Sequence, residues 1–262
     1  MLPQMGFTFA EHSRPGVPHE PSLALQPASQ QSNLRSQPMK NERLAQYIDH
    51  TLLKPTATSE QIIKLCEEAR EYNFKTVCVN PEWVRLAARE LKKSGVGITT
   101  VVGFPLGANT TEVKVFETKE AVKNGATEID MVINIGRLRC GDIKQVREDV
   151  SAVKEACGQR PLKVILETCL LSDQEVMMAC QLVMEAKADF VKTSTGFSTG
   201  GATSNAVGLM RKTVGHYFGV KASGDVRTRE DAEAIIKAGA NRIGTSSGVQ
   251  IINGDEVIKG DY

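Results

Sequence analysis

Residues 161–168 read PLKVILET, residues 188–194 read ADFVKTS and residues 218–224 read FGVKASG, and each places one lysine inside a short apolar, β-branched run. Runs of this composition form strands. Lysine is almost never fully buried without a partner, and desolvation favours its neutral, nucleophilic form. One such strand has an ordinary explanation as a sheet edge blunted by charge. Three in succession, each followed by a helical stretch, are better explained as strands that carry amines into an active site.

Outward from these runs the alternation continues from residue 43. Candidate strands cover 47–52, 75–80, 97–103, 127–134, 162–167, 188–193, 218–222 and 241–245. Helical stretches lie near 59–73, 82–94, 111–124, 142–157, 173–187, 204–215 and 228–238, with a short one near 247–252. Thr58-Ser59-Glu60, Ser172-Asp173 and Thr228-Arg229-Glu230 are helix N-terminal signals. Gly95, Gly125 and Gly239 sit where helix ends take a left-handed residue. Eight strand–helix units imply a parallel sheet with both faces buried, and eight strands close a (β/α)8 barrel. The expected fold is α/β, a TIM (β/α)8 barrel forming one domain over 41–262. An open doubly wound sheet is the alternative, disfavoured by the strand count and the missing GxGxxG.

Residues 1–40 hold six of the ten prolines and five glutamines with no apolar periodicity, so they are expected to be a disordered extension. They lack the apolar stretch or Arg-rich helix of a targeting peptide. Met39 stands directly before the ordered region and is a candidate translation start, which the N-terminal mass of the native protein would settle. The 262-residue chain has a formal net charge of +1, and residues 1–40 carry three basic and two acidic residues, leaving the remainder neutral. Bulk charge therefore recruits neither nucleic acid nor anionic membrane, and no apolar run reaches the ~18 residues of a membrane span. Six cysteines without CxxC spacing read as reduced thiols in a cytoplasmic protein.

Side chains alternate along a strand, so each face is every second residue. Asp49 and Thr51 share a face in the first strand, as do Thr76, Cys78 and Asn80 in the second and Asp130, Val132 and Asn134 in the fourth. Lys163 shares one with Ile165 and Glu167, Lys192 with Phe190 and Ser194, and Lys221 with Ser223. Taking these faces as the barrel interior gathers nearly every in-strand charge into one cavity. The opposite faces, Ile129-Met131-Ile133, Val164-Leu166, Val191 and Val220, suit helix-covered surfaces. The competing reading is a buried polar network that merely fills the barrel, in which Lys163 simply pairs with Glu167.

A neutral amine attacks a carbonyl, and burial or a neighbouring cation lowers a lysine pKa to roughly 7–8 in tuned sites. Lys192 and Lys221, on neighbouring strands, can do this for each other: one forms a Schiff base while the other moves protons, with a carboxylate such as Asp130 completing the relay. No metal and no cofactor are expected, because only four histidines occur and none has HxH, HxxxH or HExxH spacing. His50 is expected to be a hydrogen-bonded structural residue. The last two strands end in Ser223-Gly224-Asp225-Val226-Arg227 and Gly244-Thr245-Ser246-Ser247-Gly248. Together with Thr195-Gly196, these turns stand where barrels bind phosphate.

In these motifs the chain resembles the deoxyribose-phosphate aldolases, class I aldolases on a TIM barrel. The resemblance runs from about 43 to 253 and rests on IDHTLLKP (48–55), VCVNP (77–81), TTVVGFPLG (99–107), EIDMVINIG (128–136), KVILET (163–168), VKTSTGFSTGGAT (191–203), VKASGDVRT (220–228) and RIGTSSGV (242–249). It implies reversible cleavage of 2-deoxyribose 5-phosphate to glyceraldehyde 3-phosphate and acetaldehyde, in deoxyribose phosphate catabolism. It also implies Lys192 as Schiff-base nucleophile, Asp130 and Lys221 as the proton relay, Lys163 as support, and Cys78 near the pocket, where a small core residue is an equally good account. Phosphate contacts fall on Gly196, Gly224, Arg227, Ser246 and Ser247; Asp49 and Asn80 join them as substrate-binding candidates. The partners implied are a sugar phosphate and further copies of the chain, as a dimer or tetramer. Another Schiff-base sugar-phosphate aldolase, or a non-catalytic sugar-phosphate-binding barrel, is the alternative. One residue departs from the family pattern. Asp225 stands where SGGVR has glycine, and it either crowds the phosphate loop, turns outward or pairs with Arg227.

Overall fold

The computed structural model describes residues 39–255. The expected disorder of 1–40 falls almost wholly outside them. Eight strands, β1 (Ile48–Leu52), β2 (Thr76–Val79), β3 (Gly97–Val102), β4 (Glu128–Val132), β5 (Leu162–Ile165), β6 (Phe190–Lys192), β7 (Gly219–Ser223) and β8 (Arg242–Thr245), form a closed barrel in sequence order. All eight neighbouring pairs are parallel, including β1 with β8. The TIM-barrel expectation stands, and the open sheet does not.

The connecting helices are α1 (Asn41–Ala45), α2 (Ser59–Glu71), α3 (Val84–Glu90), α4 (Thr111–Asn124), α5 (Ile135–Arg139), α6 (Ile143–Cys157), α7 (Asp173–Glu185), α8 (Ser204–Val214), α9 (Arg229–Ala238) and α10 (Gly248–Asn253). Thr58, Ser172 and Thr228 form capping boxes on α2, α7 and α9. Gly125 and Gly239 cap α4 and α9 with left-handed backbone. The helix expected to stop at Gly95 ends at Glu90, because the Ser94 hydroxyl donates to the Leu91 carbonyl at 2.8 Å and closes a local turn instead. Asn134 does not extend β4; its Oδ1 accepts from the Arg137 N–H at 3.1 Å and caps α5, which has no counterpart in the sequence reading.

Period two divides the buried residues as expected. Ile129, Met131, Ile133, Val164, Leu166, Val191 and Val220 belong to the large core between strands and helices, with Val146, Val150 and Val153 of α6. A separate small apolar cluster, Leu53, Cys78 and Val101 with Phe104 against it, lies apart from that core. None of the helices among the described residues is long and apolar enough to cross a membrane.

Helix α4 runs against its own pattern: Lys114 and Thr118 are buried while Val113 and Phe116 are exposed. Lys114 Nζ donates to Asp149 Oδ2 of α6 at 2.6 Å and to the Val132 carbonyl at the end of β4 at 3.1 Å. The pair thereby pins two helices to the barrel top. Removing one member leaves a buried charge uncompensated, so Lys114→Ala is expected to cost about 3–5 kcal/mol in urea unfolding. A Lys114→Met, Asp149→Leu double variant should recover most of it; additive losses would contradict this role.

Candidate active site

Strand register brings the interior charges together. Asp130 is paired with Lys163 across β4–β5, and Lys192 with Lys221 across β6–β7. Asp130 Oδ1 accepts from Lys163 Nζ at 2.7 Å, and its Oδ2 accepts from both Lys192 and Lys221 at 2.8 Å. Lys221 also donates to Asp49. Lys163 reaches Glu128 at 2.6 Å. Arg242 closes the cluster from β8, its Nη1 bonding Asp49 Oδ1 at 2.7 Å and Glu128 Oε2 at 2.8 Å. Lys163 and Lys221 are wholly buried and Lys192 is 3% exposed.

Lys163 does not pair with Glu167. That carboxylate accepts from the Thr195 N–H at 3.2 and 3.3 Å and from the Thr195 hydroxyl, which fixes the turn after β6. Glu128 and Arg242 are the interior residues the sequence reading missed. Glu128 lies two residues before Asp130 on the same face, the signal that was available. His50 bonds Glu68 at 2.7 Å, the structural part expected of it.

This ion-paired cluster sets four cations against three carboxylates, leaving one positive charge in excess in the buried interior. Burial would raise Asp130, yet Lys163, Lys192 and Lys221 hold its carboxyl well below the ordinary value. Burial likewise opposes charge on Lys221, but Asp130 and Asp49 outweigh it and hold the ammonium above its ordinary value. For Lys192 the balance reverses. Burial and the neighbouring Lys221 outweigh the single carboxylate Asp130 and push the amine down.

Lys192 alone of the cluster lines a cavity of about 530 Å3, with Leu53, Lys54, Gly196, Phe197, Gly224 and Ser246 among its walls. That volume suits a small-molecule ligand. Phe104 and Phe197 meet edge to face at 5.4 Å, joining the β3–α4 and β6–α8 loops. A second cavity of about 280 Å3 shares Gly196 and Gly224 and adds Gly201, Asp225 and Arg227. Gly196, Gly224, Arg227 and Ser246 thus converge on one rim. Ser247 does not line these cavities; its N–H donates to Thr245 Oγ1 at 3.0 Å. Asn80 donates to the Leu53 carbonyl at 3.0 Å, so it supports the β1–α2 loop and lines neither cavity. Asp49, Asp130, Lys163 and Lys221 lie in the cluster outside the cavity lining. Asp225 takes φ of +60° and pairs with Arg227 at 2.9 Å, so it both occupies a glycine-like conformation and turns to the arginine.

A parallel barrel with a ligand-sized cavity over a desolvated amine is a site able to attack a carbonyl. The profile of the DeoC/LacD family aldolases matches residues 43–254, and the chain belongs to that family. It is 62% identical over 220 residues to a deoxyribose-phosphate aldolase of Streptococcus gordonii, covering 84% of this chain and all of the relative. It is 58% identical to that of Bacillus subtilis, covering 83% and 98%. The structure described as a unique tetrameric structure of deoxyribose phosphate aldolase from Aeropyrum pernix superposes with a TM-score of 0.76 at 36% identity, covering 82% of this chain and 91% of the other.

The depressed carboxyls fix an acid limit. Asp49, Glu128 and Asp130 all lie below their ordinary values, with burial opposed by the surrounding cations. Their stabilisation is complete above the unfolded-state values, about 3.9 for Asp and about 4.3 for Glu. It is lost as pH falls below those values toward the native ones. Urea unfolding free energy should therefore decline below pH ~4, and Asp130→Asn should flatten the decline. Equal acid slopes in the two proteins would contradict the ion-paired cluster.

Proposed function

We propose that the protein is a Schiff-base aldolase that reversibly cleaves 2-deoxyribose 5-phosphate to glyceraldehyde 3-phosphate and acetaldehyde, with Lys192 as nucleophile. The observation that carries this is a buried amine, held below its ordinary value, as the cluster's one opening to the cavity. The names of the relatives support the substrate.

Neutral Lys192 Nζ attacks C1 of the open-chain sugar, and loss of water leaves an iminium. Removal of the proton from the C3 hydroxyl breaks the C2–C3 bond. The bonding pair flows into the iminium to form an enamine, and glyceraldehyde 3-phosphate departs. Protonation of the enamine at C2 and hydrolysis release acetaldehyde and the amine. Asp130, which accepts from Lys192, and Lys221, which donates to the same Asp130 oxygen, are the groups suited to pass protons through water; Lys163 holds the second Asp130 oxygen and keeps the carboxylate oriented. The phosphate falls at the rim, near the Gly196, Gly224 and Ser246 backbone and Arg227. Leu53, an apolar side chain on the cavity wall, suits a two-carbon donor. None of the six cysteines is in a disulfide, which fits a cytoplasmic enzyme. The tetrameric relative supports self-association.

Borohydride added with 2-deoxyribose 5-phosphate should leave an irreversible adduct on the Lys192 peptide. An adduct on Lys221 or Lys163 would keep the reaction class and overturn the assignment of roles. Lys192→Ala should abolish turnover, and Lys192→Arg equally, because a guanidinium stays protonated. Asp225→Gly removes a carboxylate from the rim beside Arg227, so it should lower KM for the phosphorylated sugar more than for free deoxyribose. Equal effects on the two sugars would sink that role for Asp225.

A further inference from the structure

The catalytic reading uses Lys192, Lys221 and Asp130, and leaves Glu128 and Arg242 without a function. Both are costly to bury. Arg242 is 6% exposed and Glu128 7% exposed. Arg242 meets Glu128 with both terminal nitrogens, Nη1 at 2.8 Å and Nη2 at 3.2 Å, and reaches Asp49 with Nη1 at 2.7 Å. Its guanidinium also lies 5.5 Å from the ring centroid of Phe190. Phe190 in turn fills the space left by Gly219, where a Cβ would come within 2.2 Å of its ring. Such a fork, seated between an aromatic face and two carboxylates, is more than a barrel needs for filling, since buried ion pairs seldom add net stability over apolar packing.

After burial, Asp130, Lys221 and Cys78 act on the Lys192 amine most strongly, within a set of charged or titratable groups carried into the interior by every other strand but β3. These are Asp130 and Glu128 from β4, Lys163 from β5 with Glu167 just beyond it, and Lys221 from β7. Asp49 of β1, Cys78 of β2 and Arg242 of β8 complete the set, with Lys54 across the cavity. Arg242 lies three ion pairs from Asp130, through Asp49 and Lys221. Remove its charge and three lysines face three carboxylates, so the excess that favours release of a proton disappears.

We propose that Arg242 and Glu128 are positioning residues which set the charge balance of the buried cluster, so that Lys192 is the amine left without its proton. Arg242 supplies the surplus positive charge at a site no substrate reaches. Glu128 limits that surplus to one. The inference rests on the Schiff-base reading of Lys192.

The test is reductive alkylation of the full chain by acetaldehyde and cyanoborohydride. The neutral amine and aldehyde form an iminium with loss of water, and hydride from the borohydride reduces it to an N-ethyl group. The initial rate at the Lys192 peptide, followed against pH, has a midpoint that tracks release of the proton. In Arg242→Gln the midpoint should rise by about one pH unit, the order expected for a unit charge at this kind of separation. Arg242→Lys, which keeps the charge, should hold the unaltered midpoint. Glu128→Gln should move it the other way; Lys163, which also donates to Asp130 Oδ1 at 2.7 Å in the unaltered protein, retains that carboxylate as a partner. A folded Arg242→Gln with an unchanged midpoint overturns the proposal. Should that variant not fold, an unmoved or raised midpoint in Glu128→Gln overturns it. No adduct at Lys192 in the unaltered protein at any pH overturns the Schiff-base reading itself, a separate result.

Discussion

Asp130 is the residue on which the arrangement depends. One buried carboxylate receives three lysines from three strands, one on Oδ1 and two on Oδ2. An isolated carboxylate in such a site would be neutralised by desolvation, and three isolated ammonium groups would shed protons or unfold the barrel. Paired, they persist, but one carboxylate cannot satisfy three ammonium groups equally. Lys163 has Glu128 besides, and Lys221 has Asp49 besides. Lys192 has Asp130 alone among the cluster's carboxylates and opens to the cavity. The lowered proton affinity of Lys192 is thus a consequence of unequal sharing, arranged by strand register, and it is what the proposed Schiff-base role requires.

The barrel makes that sharing possible. Closure in sequence order brings β4, β6 and β7 within reach of one another across the interior, and period-two alternation turns Lys163, Lys192 and Lys221 inward while Val164, Val191 and Val220 enter the outer core. The apolar layer supplies stability, so the interior can be given to charge. Glu167, holding Thr195 at the head of β6, shows the same division at the rim: a buried carboxylate spent on fixing a loop that borders the cavity.

How much of this the sequence reveals depends on how unusual each residue is where it stands. Lysine inside an apolar strand breaks an expected composition, so Lys163, Lys192 and Lys221 are visible from the chain alone. Glu128 and Arg242 open their strands, where charge is ordinary, and only closure turns them inward. The Ser247 N–H is taken by a local turn to the Thr245 hydroxyl two residues back; Asn80 finds its partner, the Leu53 carbonyl, 27 residues away, which no local pattern specifies. Lys114 is hidden by the same logic, because its counter-charge, Asp149, lies on another helix. Asn134 continues the period-two pattern of the fourth strand and reads as its end, while α5, which it caps, is at five residues too short to declare a helical period.

The central claim is that the cluster's missing proton belongs to Lys192. It is tested most directly by 15N NMR of the lysine side-chain nitrogens across pH, with Lys192→Arg to assign the resonance. The account predicts that the Lys192 nitrogen moves to the neutral-amine position at lower pH than surface lysines, while Lys221 remains an ammonium. A Lys192 resonance that titrates with the surface lysines, or a Lys221 that loses its proton first, would contradict it.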